Sequence, residues 1–257
     1  MIFLCEIEMP RYKAIVEYDG TNYCGMQKQK DCEKKTIQGV LEDAISKFAN
    51  QQVSVEFSGR TDTGVHAIGQ VIHFDIPKLL DEYKVLRGTN FYLVNENVVV
   101  KNVVKVYDNF HARFSAKKRY YMYRVLNTDV HSPLLKGRVF FYRYKIDIKM
   151  MKKVAKMLVG RKMDFSAFCS KESVDKVNTL KTINKIEIKK VDDEIRFYFE
   201  AKSFLHNMIR IIVGMLLEVG RGKITINDVK NILKSKQRSD KCETAPACGL
   251  YFLETEY

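Results

Sequence analysis

Apolar and polar residues alternate along several short stretches of the first part of the chain, the pattern of β-strands with one buried face. These stretches predict strands at residues 12–18, 53–57, 69–75 and 97–106. Between the first two, apolar residues recur at helical spacing from Ile37 to Phe48, and Thr36 is placed to cap that helix. Together they predict one unit of mixed α and β structure.

The same kind of pattern recurs from about residue 117. It predicts a strand near 119–126, a helix near 149–159 stopped by Gly160, strands near 183–190 and 194–200, and an apolar helix near 203–219. We therefore expect two α+β halves, residues 10–115 and 116–257, after an N-terminal extension, residues 1–9. Met9 is also a candidate start of translation.

No Pro/Gly-rich or low-complexity linker separates these halves. Because domain boundaries usually fall in such linkers, we expect the halves to share a sheet or a broad interface. The cleft between them is then the expected place of the functional site.

The net charge of the chain indicates which class of binding partner to expect. Of its 257 residues 46% are hydrophobic, enough for a large core, and the formal net charge is +13. Such an excess of Lys and Arg favours a polyanion, and nucleic acid is the first expectation. A membrane is disfavoured because the sequence has no long apolar span and no basic amphipathic segment without a core face.

Six scattered cysteines lack the close paired spacing of a zinc site and predict reduced thiols in a cytoplasmic protein. The first residues have no basic opening of the kind a signal peptide has. His66 and His73, near Asp62 and Asp75, raise the alternative of a metal site. Because a glycine turn separates Asp62 from His66, the spacing does not imply ligand geometry, and we expect no metal.

One carboxylate, Asp62, stands in a turn rich in Gly and Thr that leads into an alternating strand. Gly59 and Gly64 allow unusual backbone angles, and the neighbouring threonine hydroxyls can fix a tight loop. Such a turn presents Asp62 to a ligand. The alternative from the residues alone is a hairpin in which Asp62 only caps backbone amides.

The residues from Gly59 to Ala67, Gly-Arg-Thr-Asp-Thr-Gly-Val-His-Ala, resemble the signature of the tRNA pseudouridine synthase A family. Further segments resemble that family in the same order over nearly the whole chain after Met9. They are residues 17–25, 36–42, 110–116, 119–123, 164–168, 204–210 and 244–251. Two places depart from the family pattern: Met26 replaces a common tryptophan, and residues 93–96 replace a Leu-Pro stretch. Both concern the shape of the RNA-binding surface.

The resemblance implies an enzyme that isomerises uridine to pseudouridine at tRNA positions 38, 39 and 40, in the anticodon stem-loop, without a cofactor. It implies two ferredoxin-like halves with antiparallel sheets joined around a central basic cleft, in a homodimer whose grooves bind one tRNA. It assigns Asp62 as the nucleophile and Tyr121 as the platform for the target base. Arg210 is then the ion-pair partner of Asp62, and Arg60 the residue that displaces the base.

Arg210 is the only Lys or Arg between Phe204 and Val219, and a guanidinium in so apolar a helix needs an anion. From the pattern alone, a position at the solvent edge or a pairing with Glu218 would serve as well as Asp62.

Residues 113–124 hold five cations and no acid, interleaved with Phe114 and three tyrosines. Such a segment can contact phosphates and stack on bases, or it can be a strand with tyrosines in the core and cations in water. The RNA-binding candidates are Arg113, Lys117, Lys118 and Arg119 of this segment, together with Arg60, which the resemblance implies.

Two other functions stay open on the sequence. A non-catalytic RNA-binding module would have the same basic surface and aromatic residues but no need of an Asp and Arg pair. A metal-dependent phosphoesterase would use Asp62, His66, His73 and Asp75.

Overall fold

The computed structural model describes residues 9–29 and 32–257, so the predicted extension lies, apart from Met9, outside the described residues. The described chain divides into two compact units, residues 9–117 with 252–257 and residues 118–251. Both contain helices and antiparallel strands, which confirms the α+β class. The expected boundary after residue 115 falls two residues before the observed one, and the last six residues return to the first unit.

The first unit has the βαββαβ order of a ferredoxin-like fold. Its elements are β1 (Arg11–Tyr18), α1 (Ile37–Ala49), β2 (Glu56–Phe57), β3 (His66–Asp75), α2 (Glu82–Tyr92) and β4 (Val98–Val106). Strand β1 lies between β4 and β3, antiparallel to both, and β2 pairs with β3. Alternate residues of β1 are buried, as its sequence predicts.

The second unit begins with β5 (Lys118–Leu126). It continues through β6 (Phe140–Phe141), α3 (Ile148–Ala155), β7 (Lys162–Asp164), β8 (Leu180–Val191), β9 (Glu194–Ala201), α4 (Met208–Gly220) and α5 (Ile226–Ser235). Its strands lie in the order β5-β9-β8-β7, and each pair is antiparallel. The last strand, β10 (Leu250–Glu256), begins in this unit and ends in the first.

The observed helix ends differ from the predicted ones for local reasons. Helix α3 stops at Ala155 and is followed by a 3₁₀ turn before Gly160, which has a left-handed φ of 84°. Helix α4 starts at Met208 because Asn207 has a φ of 63°, outside the helical region. Of the segment 53–57, only the last two residues form a strand. The sequence patterns do not predict α2, α5 or β10.

The expectation of reduced cysteines is wrong for Cys24 and Cys32. The Cα atoms of these two cysteines lie 6.5 Å apart, and their sulfur atoms form a disulfide. The free cysteines among the described residues are Cys169, Cys242 and Cys248. No helix in the described part of the chain is long and apolar enough to cross a membrane.

Helix α4 is buried along almost its whole length, and a backbone segment crosses it at Gly214. A Cβ atom at Gly214 would lie 2.0 Å from the carbonyl oxygen of Glu243, closer than any real contact. Since that neighbour is backbone, it cannot move aside as a flexible side chain would. The close approach fixes residues 243–245 against the helix.

Gly214→Ala should therefore destabilise the protein, by about 1 to 3 kcal/mol after allowing for the better helix propensity of alanine. Gly39→Ala in α1 is the matched control, because its Cβ would meet only side-chain atoms, at 3.1 and 3.5 Å. Urea unfolding followed by circular dichroism measures both. A Gly214→Ala midpoint equal to that of the parent would show that the crossing segment is not held as described.

Candidate active site

Asp62 lies in the loop between β2 and β3, half-buried at the tip of a turn. The turn is closed by the Val65 amide, which donates to the Asp62 carbonyl over 3.1 Å, and Gly64 has a φ of 80°. At the start of the loop, the buried Gln70 side chain donates to the Gly59 carbonyl over 2.8 Å. The backbone that carries Asp62 is thus fixed on both sides.

A second turn of the first unit packs behind this loop. The Met26 amide donates to the Thr61 carbonyl over 3.0 Å, and the Thr61 hydroxyl lies 2.8 Å from the hydroxyl of Tyr18. Burial raises the pKa of Tyr18 to about 12, so its hydroxyl keeps its proton. Gly25 lies so near the loop that a Cβ there would come within 2.5 Å of the Thr61 carbonyl oxygen. The loop is therefore supported from behind by backbone and by a neutral hydroxyl.

The two histidines near Asp62 have structural hydrogen bonds. Nδ1 of His66 accepts from the Gly20 amide over 3.1 Å, and Nδ1 of His73 accepts from the Ala112 amide over 3.2 Å. Asp75 binds Arg11 with both carboxylate oxygens, at 2.8 and 2.7 Å. Among residues 9–29 and 32–257 no group of three or more His, Cys, Asp or Glu has the arrangement of a metal site. None of these contacts favours the phosphoesterase.

Tyr121 lies on β5, paired in register with Phe199 of β9. Its side chain is 7% exposed, and its ring meets the edge of Phe204 at a centroid distance of 5.3 Å. Tyr123, two residues on, is fully buried, and its hydroxyl donates to the Pro246 carbonyl over 2.6 Å. Burial raises the pKa of Tyr123 well above its usual value. Tyr123 therefore packs in the core.

Arg210 lies in the first turn of α4. Its Nε donates to the Ala245 carbonyl and its Nη1 to Oδ1 of Asn207, each over 2.8 Å. The alternative partner, Glu218, instead accepts from Arg221 and from the hydroxyl of Tyr142. Asp62 belongs to the first unit and Arg210 to the second, and their pairing stays a prediction.

The five predicted RNA-binding residues differ in their surroundings. Arg60, Arg113 and Lys117 are exposed, and the Arg113 guanidinium lies 5.6 Å from the ring centre of Phe114. Lys118 forms a salt bridge of 3.0 Å with Glu200. Arg119 is only 8% exposed and donates to the Lys202 carbonyl. The three exposed residues are therefore the better candidates for phosphate contacts, and all five remain predictions.

The residues that orient these side chains are not among those predicted from the sequence. Gln70, a fully buried amide within an apolar strand, is a signal that the sequence does contain, because a polar residue at an inward position needs a partner. Asn207 and Ala245 lie in the matched segments 204–210 and 244–251, but their contacts with Arg210 depend on tertiary structure.

The fold that carries these segments is of the α+β class, and comparison with known proteins gives the family. The family model described as tRNA pseudouridine synthase matches residues 14–115 and 154–257. Proteins called tRNA pseudouridine synthase A are similar over 96% of this chain and 100% of their own length. They include those of Ehrlichia canis (strain Jake), 42% identical over 249 residues, and Anaplasma marginale (strain Florida), 40% identical over 247 residues. The chain belongs to the tRNA pseudouridine synthase family.

Acid should destabilise the first unit through His73. Burial, with the charge of Arg11, lowers the pKa of His73 from 6.5 to about 4. The unfolded chain therefore binds a proton on this residue at a higher pH than the native state does. As the pH falls from about 6.5 to about 4, the free energy of unfolding should decrease by about 1 to 3 kcal/mol from this group.

Urea unfolding at a series of pH values, for the parent and for His73→Gln, isolates this contribution from that of the carboxylates. The parent should lose more stability than the variant within that window. Equal pH slopes would contradict the assignment of a buried, neutral His73.

Proposed function

We propose that this chain isomerises uridine to pseudouridine in the anticodon stem-loop of tRNA, at positions 38, 39 and 40, without a cofactor. The observation that supports this most directly is the half-buried Asp62, carried by a loop whose backbone is fixed from both sides and from behind. A carboxylate held in this way can meet a reacting atom without first being ordered. The loop falls within the residues matched by the family.

The reaction breaks the bond from N1 of uracil to C1′ of ribose and forms a bond from C5 to C1′. A proton leaves C5 and a proton is gained at N1, so substrate and product are isomers. Asp62, as the carboxylate, is the nucleophile, with C6 of the base and C1′ of the sugar as the two alternative points of attack. The guanidinium of Arg210 is its ion-pair partner, which favours the ionised form of the aspartate.

Tyr121 supplies the platform for the detached base. Its ring is buried against Phe204, and a ring held by packing loses little freedom when a base lies on it. The hydroxyl is the candidate for the late proton transfer from C5.

Arg60, exposed and two residues from Asp62, is the residue that enters the RNA and displaces the uridine from its stack. The tRNA backbone is bound through the basic residues named above. We further propose a homodimer, in which one tRNA contacts both subunits, and a cytoplasmic location. The net charge of +13 supports a polyanionic substrate.

Asp62→Asn should abolish turnover while leaving tRNA affinity largely intact, because the amide is not a nucleophile but the phosphate contacts remain. Asp62→Glu should also be inactive, since the fixed loop cannot adjust to a longer side chain. Release of tritium from uridine labelled at C5 measures turnover, and filter binding measures affinity. Asp43→Asn, at an exposed position of α1, is the control with the same chemical change. Substantial tritium release by Asp62→Asn would contradict the assignment of Asp62 as the nucleophile.

Tyr121→Phe and Tyr123→Phe form a matched pair, because they remove one hydroxyl each from positions two apart on β5. Tyr121→Phe should still bind tRNA but form product at least about a hundredfold more slowly, the scale of a lost proton transfer. Tyr123→Phe should lose about 1 kcal/mol of stability with its hydrogen bond to Pro246 and keep its activity. Equal activity of the two variants would exclude a catalytic Tyr121 hydroxyl.

A further inference from the structure

Helix α3 has a lysine face that the proposed site does not use. Lys149, Lys152 and Lys153, in the helix, and Lys156, the residue after its end, are all exposed, at the spacing that puts residues on one side of a helix. Residues 143–162 contain eight cations and, as their only acid, Asp147, which caps the helix. We call these four residues the α3 lysine face.

The charges of this face lack ion-pair partners among residues 9–29 and 32–257. None of the four lysines forms a salt bridge with any residue of the described chain. Two pairs, Lys149 with Lys153 and Lys152 with Lys156, are four residues apart, a spacing at which like charges destabilise an isolated helix. The face spans about 10 Å along the helix axis, since each residue adds 1.5 Å. A polyanion with closely spaced charges would relieve this repulsion.

A second feature adjoins the start of the helix. The ring of Tyr144, 41% exposed, lies 3.7 Å from the guanidinium carbon of Arg221 and 5.5 Å from that of Arg143. Exposed rings with neighbouring guanidinium groups are typical of surfaces that contact RNA by stacking and by charge. A membrane surface fits less well, because the apolar side of α3, with Met151 and Val154, is buried in the core and cannot enter a bilayer.

The lysine face lies well away from Tyr121. Helix α3 packs against α4 and β8, and β9 separates β8 from the strand that carries Tyr121. Two strand spacings are about 10 Å, and the lysines lie on the outer side of a helix about 10 Å wide. The ammonium groups are therefore on the order of 15 Å or more from the ring of Tyr121. A uridine at that ring cannot present its own phosphate to them.

We propose that the α3 lysine face is a second RNA-binding surface, which contacts backbone phosphates of the tRNA outside the anticodon arm. This inference rests on the proposed action of the enzyme at that arm. It gives the protein a means of preferring a whole tRNA over an isolated stem-loop, because the two substrates would share the reacting uridine but not the contacts to α3.

Filter binding of two RNAs, a full-length tRNA and its isolated anticodon-arm hairpin, tests the proposal over a salt series. The variant is Lys149→Ala/Lys153→Ala. Its matched control is Lys230→Ala/Lys234→Ala on α5, which has the same spacing, exposure and loss of two charges. Alanine preserves helix propensity, and thermal unfolding checks that both variants fold. Tritium release by the parent from each RNA tests the proposed function separately.

The α3 variant should bind full-length tRNA roughly tenfold more weakly at 0.15 M salt, with a log-log salt slope shallower by about 1.5. Its binding of the hairpin should equal that of the parent and of the control. An equal loss for both RNAs would place the contacts on the anticodon arm and overturn the proposal, as would no loss for either. Retention on phosphatidylserine vesicles that depends on these lysines, with unchanged tRNA affinity, would identify a membrane surface instead.

Discussion

The close approach of two backbone turns is the constraint on which the candidate site of the first unit depends. A Cβ at Gly20 would lie 2.0 Å from the Val65 carbonyl oxygen, and one at Gly25, which has a φ of 79°, would lie 2.5 Å from the Thr61 carbonyl oxygen. Only glycine permits both contacts. The position of the Asp62 backbone is therefore set by main-chain packing, which does not depend on side-chain rotamers. A carboxylate that must reach one atom of a displaced nucleotide benefits from that rigidity, because a small misplacement costs much of the rate.

In the second unit, hydrogen bonds of its side chain orient the charged residue. Its cation, Arg210, is oriented by the side chain of Asn207 and the carbonyl of Ala245, and the Ala245 amide donates back to the Arg210 carbonyl over 3.1 Å. The crossing segment that supplies Ala245 can approach only because Gly214 has no side chain. In both units, glycine admits a neighbouring backbone. In the first unit that backbone fixes the loop that carries Asp62, and in the second it orients the side chain of Arg210.

Strong periodicity made much of the fold predictable. The predicted strand segments correspond to β1, β3, β4, β5, β8 and β9, and Thr36 caps α1 as expected, accepting from the Gly39 amide. Helix α2 was not predicted because only Val85 and Thr89 are buried, and two buried residues are too few for a recognisable helical pattern. Helix α5 carries a capping box of Thr225 and Asp228 that the sequence does contain. The ordered motifs give Asp62, Tyr121 and Arg210 as predictions. The disulfide and the contacts behind the loop depend on tertiary structure that no local pattern encodes.

The distribution of charge places the groups proposed to bind RNA apart from those proposed for the chemistry. Carboxylates near the interior have close cationic partners, as Asp75 has in Arg11 and Glu194 in Arg124 and Arg196. Much of the excess positive charge lies on exposed surfaces such as the α3 lysine face, where salt screens it within about 8 Å. Because that face is farther than this from Tyr121, its charge has little influence on the ionisation of groups near the reacting base. Binding strength can therefore change through surface lysines while the chemistry stays under the control of the fixed, partly buried groups.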